Sequence, residues 1–222
     1  MRSKVVGILL ILLGICLVLF AAGLVGYNLW DSNRADLSAQ EALAVLNSSI
    51  SENTQEEPAE ESFEGNRILP EETSLQEEIP PHVLNPDLEM LEKEINGIAY
   101  IGILEIPDLA LELPIAGNWN LTTARKAPCR YVGSVYKNNM VVAGHNYQKH
   151  FGRLASLPVG SQIRFEDMEG NVFCYETIEL ETVQAEDIDG MCEGDWDLTL
   201  FTCTIGGHAR TALRCRKLEN IP

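Results

Sequence analysis

Basic residues are scarce in this chain. Sixteen Lys and Arg stand against 33 Asp and Glu over 222 residues, a formal net charge of −17. With no cationic stripe to displace counterions from phosphates, the composition argues against nucleic-acid binding. The deficit is also uneven. Residues 47–96 hold 14 acids and 2 bases, whereas 97–222 hold 16 and 11. The acidity therefore belongs mainly to a stretch ahead of the folded part. Paired cysteines are missing as well. Cysteines 16, 129, 174, 192, 203 and 215 never form a C-x-x-C, which removes support for a zinc ribbon or a thioredoxin-type redox motif. No internal repeat is visible, and the length leaves room for one medium core plus extras.

Residues 5–27 form an apolar stretch with no charge, preceded by Arg2 and Lys4. As a helix its 23 residues would reach about 34 Å, enough to span a hydrocarbon core. The rival is a cleaved signal peptide, for which Ala21, Ala22 and Gly23 offer small residues, but the run exceeds the usual apolar core of such signals. Positive charge before it and mixed charge after it predict an anchor with residues 1–4 in the cytoplasm and the chain from 28 onward outside.

Residues 35–46 have helical composition, with Leu37, Ala42, Leu43 and Leu46 loosely on one face, and predict a short juxtamembrane helix serving as stalk or dimer contact. Residues 47–86 are rich in Glu, Ser, Asn, Pro and Gln. They lack the apolar mass to offset ordering entropy and predict a disordered acidic spacer within a 28–96 linker. The stretch 88–95 reads as a short helix stopped by Asn96 and Gly97.

The folded domain is expected at 97–222. Residues 98–115 contain two β-type runs joined at Pro107 and Asp108. Asn120 is a helix N-cap candidate. Residues 140–143 form a short apolar run ending at Gly144 and His145, and 151–157 suit a short helix. Runs at 161–165 and 171–183 flank a D-M-E-G-N turn, and runs at 197–203 and 210–217 flank Gly206 and Gly207. Eight short strands with few helices point to an all-β barrel or sandwich. Cys174 and Cys215 interrupt β-type runs as core positions, and Cys16 is a small hydrophobe. Cys129 and Cys192 fall near turns, and their pairing stays open.

The run 197–203 delivers a thiol to its end, and the next run begins with Arg210. Adjacent strands joined in this way place a nucleophile beside a cation. A thiol reacts as thiolate, so it needs a partner such as His145 to move its proton. Arg210 can stabilise negative charge on sulfur or on an oxyanion. Each residue alone has a bland reading: core cysteine, loop donor, surface charge. His150 and His208 are rival bases. Arg214 shares strand parity with Arg210 and is the fallback cation.

Taken together, "TLFTC" at 199–203, Arg210 on the following strand and "VVAGHN" at 141–146 resemble the sortases, cysteine transpeptidases of Gram-positive cell surfaces. Ile106-Pro107 and Leu113-Pro114-Ile115 resemble their first two strands. The resemblance covers 98–218 and implies the sortase eight-stranded β-barrel with short helices. It implies Cys203 as nucleophile, His145 as acid and base, and Arg210 as electrostatic stabiliser. Asn146, Thr202 and Thr204 become candidate substrate contacts, the Thr204 N–H as an oxyanion donor. The implied reaction cleaves a C-terminal LPXTG-type sorting signal on a secreted protein through a Cys thioester. An amine of a cell-wall precursor or a pilin lysine resolves it.

No cofactor is implied. Some sortases hold calcium in the acidic connection before the cysteine strand, here 181–197, but these carboxylates lack EF-hand spacing. A solvated loop bordering the groove is the expectation. The Asp-Pro-aromatic lid of pilin-polymerising members is missing ("NPDL" at 85–88 is not that lid), and 182–195 is too short for the helix of the haem-protein class. A compact anchoring enzyme is preferred. Two other readings are an L,D-transpeptidase-like enzyme, whose Ser-His-Gly-Cys signature is absent, and a catalytically silent membrane-tethered binding module.

Overall fold

The structure, a computed structural model, describes residues 2–55 and 79–219. It opens with a single long helix, α1 (Arg2–Gln55). Large apolar side chains from Val6 to Trp30 stand exposed around it, and this is the one helix among the described residues long and apolar enough to cross a membrane. Further along, Ala35, Ala39, Ala42, Leu46 and Ile50 are buried. Their spacing of three or four puts them on one face. Ala42, Leu46 and Ile50 of that face pack against Ile98, Tyr100, Ile103, Ala116, Cys129 and Met168. The expected free helix over 35–46, with a spacer from 47, is thus corrected. Leu46 and Ile50 continue the apolar face, so the helix runs on to Gln55 as part of the folded body. Residues 56–78, most of the expected disordered spacer, lie outside the described residues.

A short turn of helix, α2 (Pro81–Leu84), leads into β1 (Lys93–Ile95) and β2 (Ile98–Ile106). The helix expected over 88–95 does not form. Asn96 and Gly97 both have positive φ, which makes them a tight hairpin turn between β1 and β2 rather than a helix stop.

The remaining strands are β3 (Leu111–Ala116), β4 (Cys129–Val132), β5 (Met140–Gly144), β6 (Gln162–Asp167), β7 (Val172–Gln184), β8 (Leu198–Cys203) and β9 (Ala209–Lys217). They run in the order β2-β3-β4-β5-β8-β9-β7-β6, and β6 pairs back onto β2. Eight strands therefore close into a barrel, the expected fold, with β1 as a short addition to β2. The pairings β3–β4 and β5–β8 are parallel. Closure depends on Gly102, where a Cβ would lie 2.2 Å from the Glu166 carbonyl oxygen; only glycine lets the strands approach so closely.

Inward-facing Leu104, Ile115, Met140, Val142, Phe165, Tyr175, Leu200 and Leu213 fill the barrel. The D-M-E-G-N turn is held by the buried Asp167 carboxylate. It accepts from the Tyr136 hydroxyl at 2.8 Å and from the Glu169 N–H, Asn171 N–H and Asn171 Nδ2, each at 2.9 Å. Between β3 and β4 sits α3 (Leu121–Ala124), its N-cap Asn120 accepting from the N–H groups of Thr122 and Thr123. Between β7 and β8 sits α4 (Ile188–Cys192). All six thiols are free. Cys129 is buried beneath α1, and Cys192, the last residue of α4, packs against a separate cluster.

Candidate active site

Alternation along β5, β8 and β9 sends one set of side chains into the barrel and the other set outward. The outward set on β8 is Thr199, Phe201 and Cys203. Their cross-strand partners on β9 are Arg214, Ala212 and Arg210. On the other side, β5 runs parallel with Gly144 opposite Thr202, so the next residue, His145, emerges beside Cys203. Three consecutive strands thus bring Cys203, His145 and Arg210 to the same end of the barrel wall. All three line one cavity of about 350 Å³.

The cavity floor is apolar. Trp119, Tyr131 and Phe201 form a ladder of edge-on rings with centroids 5.9 and 5.5 Å apart, and Ile188 and Met191 of α4 close the side. These residues are absent from the site expected from sequence. Phe201 was legible by strand parity, since it sits two positions before Cys203. Trp119 and Tyr131 reach the cavity from other elements, which no local pattern reveals.

The loop after β5 is tightly built. Gly144 leaves room for the Phe151 ring, which a Cβ would meet at 2.5 Å. The Tyr147 ring lies 5.1 Å from that of His145, and its hydroxyl donates to Asp31 of α1 at 2.5 Å. A second tie joins Lys149 to Asp36 at 2.5 Å. The helix that leaves the apolar segment is therefore bonded directly to the histidine loop.

His145 Nε2 is buried without a partner among the described residues. Burial pushes the imidazole below its ordinary pKa. The Asp31 carboxylate opposes that shift, and Arg125 adds to it. A neutral imidazole with a free ring nitrogen can accept a proton from a neighbouring thiol. The Tyr147 phenol is raised to about 12, by burial and then by its bond to Asp31.

The other candidates separate clearly. Thr202 is buried, lines the cavity and has an unpartnered Oγ1. Asn146 is exposed beside the loop and does not line the cavity. The Thr204 N–H donates to the Ala209 carbonyl at 2.9 Å, and the Thr204 hydroxyl donates to the same oxygen at 3.1 Å. The expectation that this N–H is an oxyanion donor is therefore corrected, because the β8–β9 turn already uses it. Arg210 donates to the carbonyls of Gly207 and Ala209, both at 3.1 Å. Arg214 is 1 % exposed and bonded to Glu181, Thr199 and the carbonyls of Gly190 and Met191, which removes it as the fallback cation. His208 is exposed in the turn. His150 is 1 % exposed behind Tyr147, with neither ring nitrogen partnered.

Four of the seven carboxylates of the acidic connection serve the protein itself. Glu181 pairs with Arg214, Asp187 caps α4, Asp195 pairs with Arg216, and Asp197 accepts from the Lys217 N–H. Among the described residues no group of three or more His, Cys, Asp or Glu is arranged to hold a metal ion.

Residues 104–217 match the family model of the sortase domain. No curated protein matches the chain. Among solved structures, sortase A from Corynebacterium diphtheriae superposes with a TM-score of 0.51 at 20 % identity, covering 56 % of this chain and 63 % of that one. A Clostridium perfringens sortase D5 transpeptidase gives 0.50 at 22 % identity, covering 57 % and 82 %. Streptococcus pneumoniae sortase C gives 0.50 at 20 % identity, covering 58 % and 73 %. These structural likenesses concern the fold.

Proposed function

The chain belongs to the sortase family, and on that premise we propose that it is a membrane-anchored cysteine transpeptidase acting on secreted proteins that carry a C-terminal LPXTG-like sorting signal. One observation carries the assignment of roles: Cys203, His145 and Arg210 converge on a single cavity from adjacent strands. Cys203 Sγ attacks the Thr carbonyl carbon of the signal while its proton passes to His145 Nε2. The Arg210 guanidinium faces the negative charge that develops on the carbonyl oxygen. The tetrahedral adduct collapses, the Thr–Gly bond breaks, and the His145 imidazolium protonates the departing amine. An incoming amine, from a cell-wall precursor or a pilin lysine, then attacks the thioester and gives its proton to His145. The Cys203 thiol is regenerated with its proton. The apolar floor of Trp119, Tyr131, Phe201, Ile188 and Met191 suits the aliphatic part of such a signal.

The exposed apolar stretch of α1 is the anchor, with the barrel on the outer side of the membrane. A compact enzyme that attaches proteins to the cell wall remains the preferred subtype.

The test uses the full chain in detergent micelles with an LPXTG-type peptide and a small amine, followed by mass spectrometry. Wild type and Cys215→Ala yield the amine-captured acyl product. Cys203→Ala loses turnover by at least about 10³-fold, the scale on which removing an activated nucleophile acts. Turnover surviving in Cys203→Ala would end the assignment.

A further inference from the structure

A second cavity, of about 230 Å³, lies where α1 passes α3. Its lining includes Arg34 of α1 together with Arg125 and Lys126, which follow α3. In a chain with twice as many acids as bases, this lining inverts the balance. Asp31 is its one carboxylate, and that group already accepts the Tyr147 hydroxyl at 2.5 Å. None of the three cations makes a salt bridge with a described residue. Arg34 lies over the Trp30 ring at 5.7 Å, and Trp30 and Tyr27, 6.2 Å apart, complete the wall.

The position along α1 supplies the second argument. Tyr27 and Trp30 stand at the end of the uncharged stretch, which Asp31 closes, and an adjacent Tyr–Trp pair is the side-chain chemistry that settles at a bilayer–water boundary. Arg34 comes four residues after Trp30, roughly 6 Å along a helix axis. With the apolar stretch in a membrane, that rise carries the three cations to the depth of the lipid phosphates. Uncompensated cations at phosphate depth, in a pocket walled by interfacial aromatics, match an anionic headgroup.

We propose that this cavity binds the phosphate of an anionic membrane lipid and so fixes the barrel, and the histidine loop tied to α1 through Asp31, against the membrane surface. The proposal rests on the anchor reading and does not depend on the transferase chemistry.

The experiment places the full chain in nonionic detergent micelles and measures retention of phosphatidylglycerol, against phosphatidylcholine, by native mass spectrometry. Wild type retains the anionic lipid preferentially. Arg125→Gln/Lys126→Gln weakens retention about 30-fold, since each cation near an anionic surface contributes roughly fivefold. A control of equal charge change, Lys93→Gln/Lys137→Gln, leaves it unchanged. Asp31→Asn, which removes the opposing carboxylate, tightens it. Equal retention of both lipids, or no effect of the cavity variant, overturns the proposal. Binding of inorganic pyrophosphate with the same residue dependence, but no lipid retention, would assign the cavity to a soluble phosphate and overturn the lipid source. Carbonate extraction of membranes carrying the chain reports on the anchor separately. Release into the soluble fraction would sink that reading whatever the micelle experiment gives.

Discussion

Two ends of one ladder, on one face of the barrel, treat the same residue types in opposite ways. At the lower end of β8–β9, Thr199 pairs with Arg214. There α4 covers the guanidinium, and every direction of its fork meets an acceptor: Glu181, the Thr199 hydroxyl and the carbonyls of Gly190 and Met191. At the upper end Cys203 pairs with Arg210. Here the guanidinium holds only the backbone of its own turn, while Thr202 Oγ1 and His145 Nε2 have no partner. Buried polar groups are normally satisfied. The end that departs from this rule is the end that opens into the cavity, and the groups it leaves unsatisfied are those a substrate would complete.

Removing the cation from each end gives the largest contrast. Arg214→Ala strips four acceptors of their donor, the Met191 carbonyl and Thr199 hydroxyl in buried bonds and Glu181 with one side still open to solvent. A loss of about 3 kcal/mol is expected, the low end of the range for breaking a buried charge pair. Arg210→Ala stays within about 0.5 kcal/mol of wild type, as surface changes do, while lowering turnover. Urea denaturation of the full chain in micelles, followed by near-ultraviolet circular dichroism, measures both. Equal destabilisation would erase the distinction between the two ends.

The upper end was legible in the sequence because its chemistry sits in short local motifs. A thiol at a strand end and an arginine opening the next strand need no tertiary information, whereas His145 was joined to them only by the resemblance of "VVAGHN" and "TLFTC" to the sortases, since spacing alone leaves His150 and His208 as rivals. Arg214 was different. It shares the parity of Arg210, and only the turn of α4 laid over it separates their fates. Eight short strands followed from alternation and turn residues, with barrel or sandwich left open until the sortase resemblance implied the barrel. The docked half of α1 did not, because Ala35, Ala39 and Ala42 carry too little apolar mass to mark a face, and the strands on which Ala42, Leu46 and Ile50 pack lie far along the chain. Asn96 and Gly97 were misread for a related reason. Asn-Gly ends helices and turns hairpins alike, and β1, at three residues, is too short to show alternation. Arg125 gave no signal at all, since its proximity to the histidine loop exists only once α1 and α3 meet.

His150 extends the comparison behind the upper end. It is buried with both ring nitrogens unpartnered, and burial, then the charge of His145, lowers its pKa to about 4. The unfolded chain titrates this group near the ordinary 6.5. Between those values the unfolded state binds more protons, so stability rises with pH there. The contribution is complete above about 6.5 and is lost as pH falls toward 4, by up to about 3 kcal/mol. His150→Leu removes the titration. Denaturation midpoints at pH 7.5 and 4.5 should therefore fall further in wild type than in the variant. Identical pH dependence would mean that this ring is hydrated or paired in solution.

The finest test asks whether the open end is tuned by charges on the helix side. Neutral His145 is the form that takes the Cys203 proton, so turnover should fail on the acid side as His145 becomes protonated. Burial places that limb below the ordinary imidazole range, Asp31 draws it upward, and Arg125 pushes it down. Asp31→Asn keeps an oxygen to accept the Tyr147 hydroxyl but removes the charge, so the limb moves to lower pH. Arg125→Gln moves it to higher pH, because the imidazolium no longer faces a neighbouring cation. Lys126→Gln, a charge in the same cavity that does not act on His145, leaves it in place. Profiles of kcat/KM for the three variants read out these signs, and a general loosening of the loop would move Asp31→Asn and Arg125→Gln in the same direction. Opposite displacements of the acid limb, with Lys126→Gln still, point to a group on which Asp31 and Arg125 act with opposite sign. His145 and Tyr147 are both such groups, and Tyr147, raised to about 12, does not titrate on the acid side, which leaves His145.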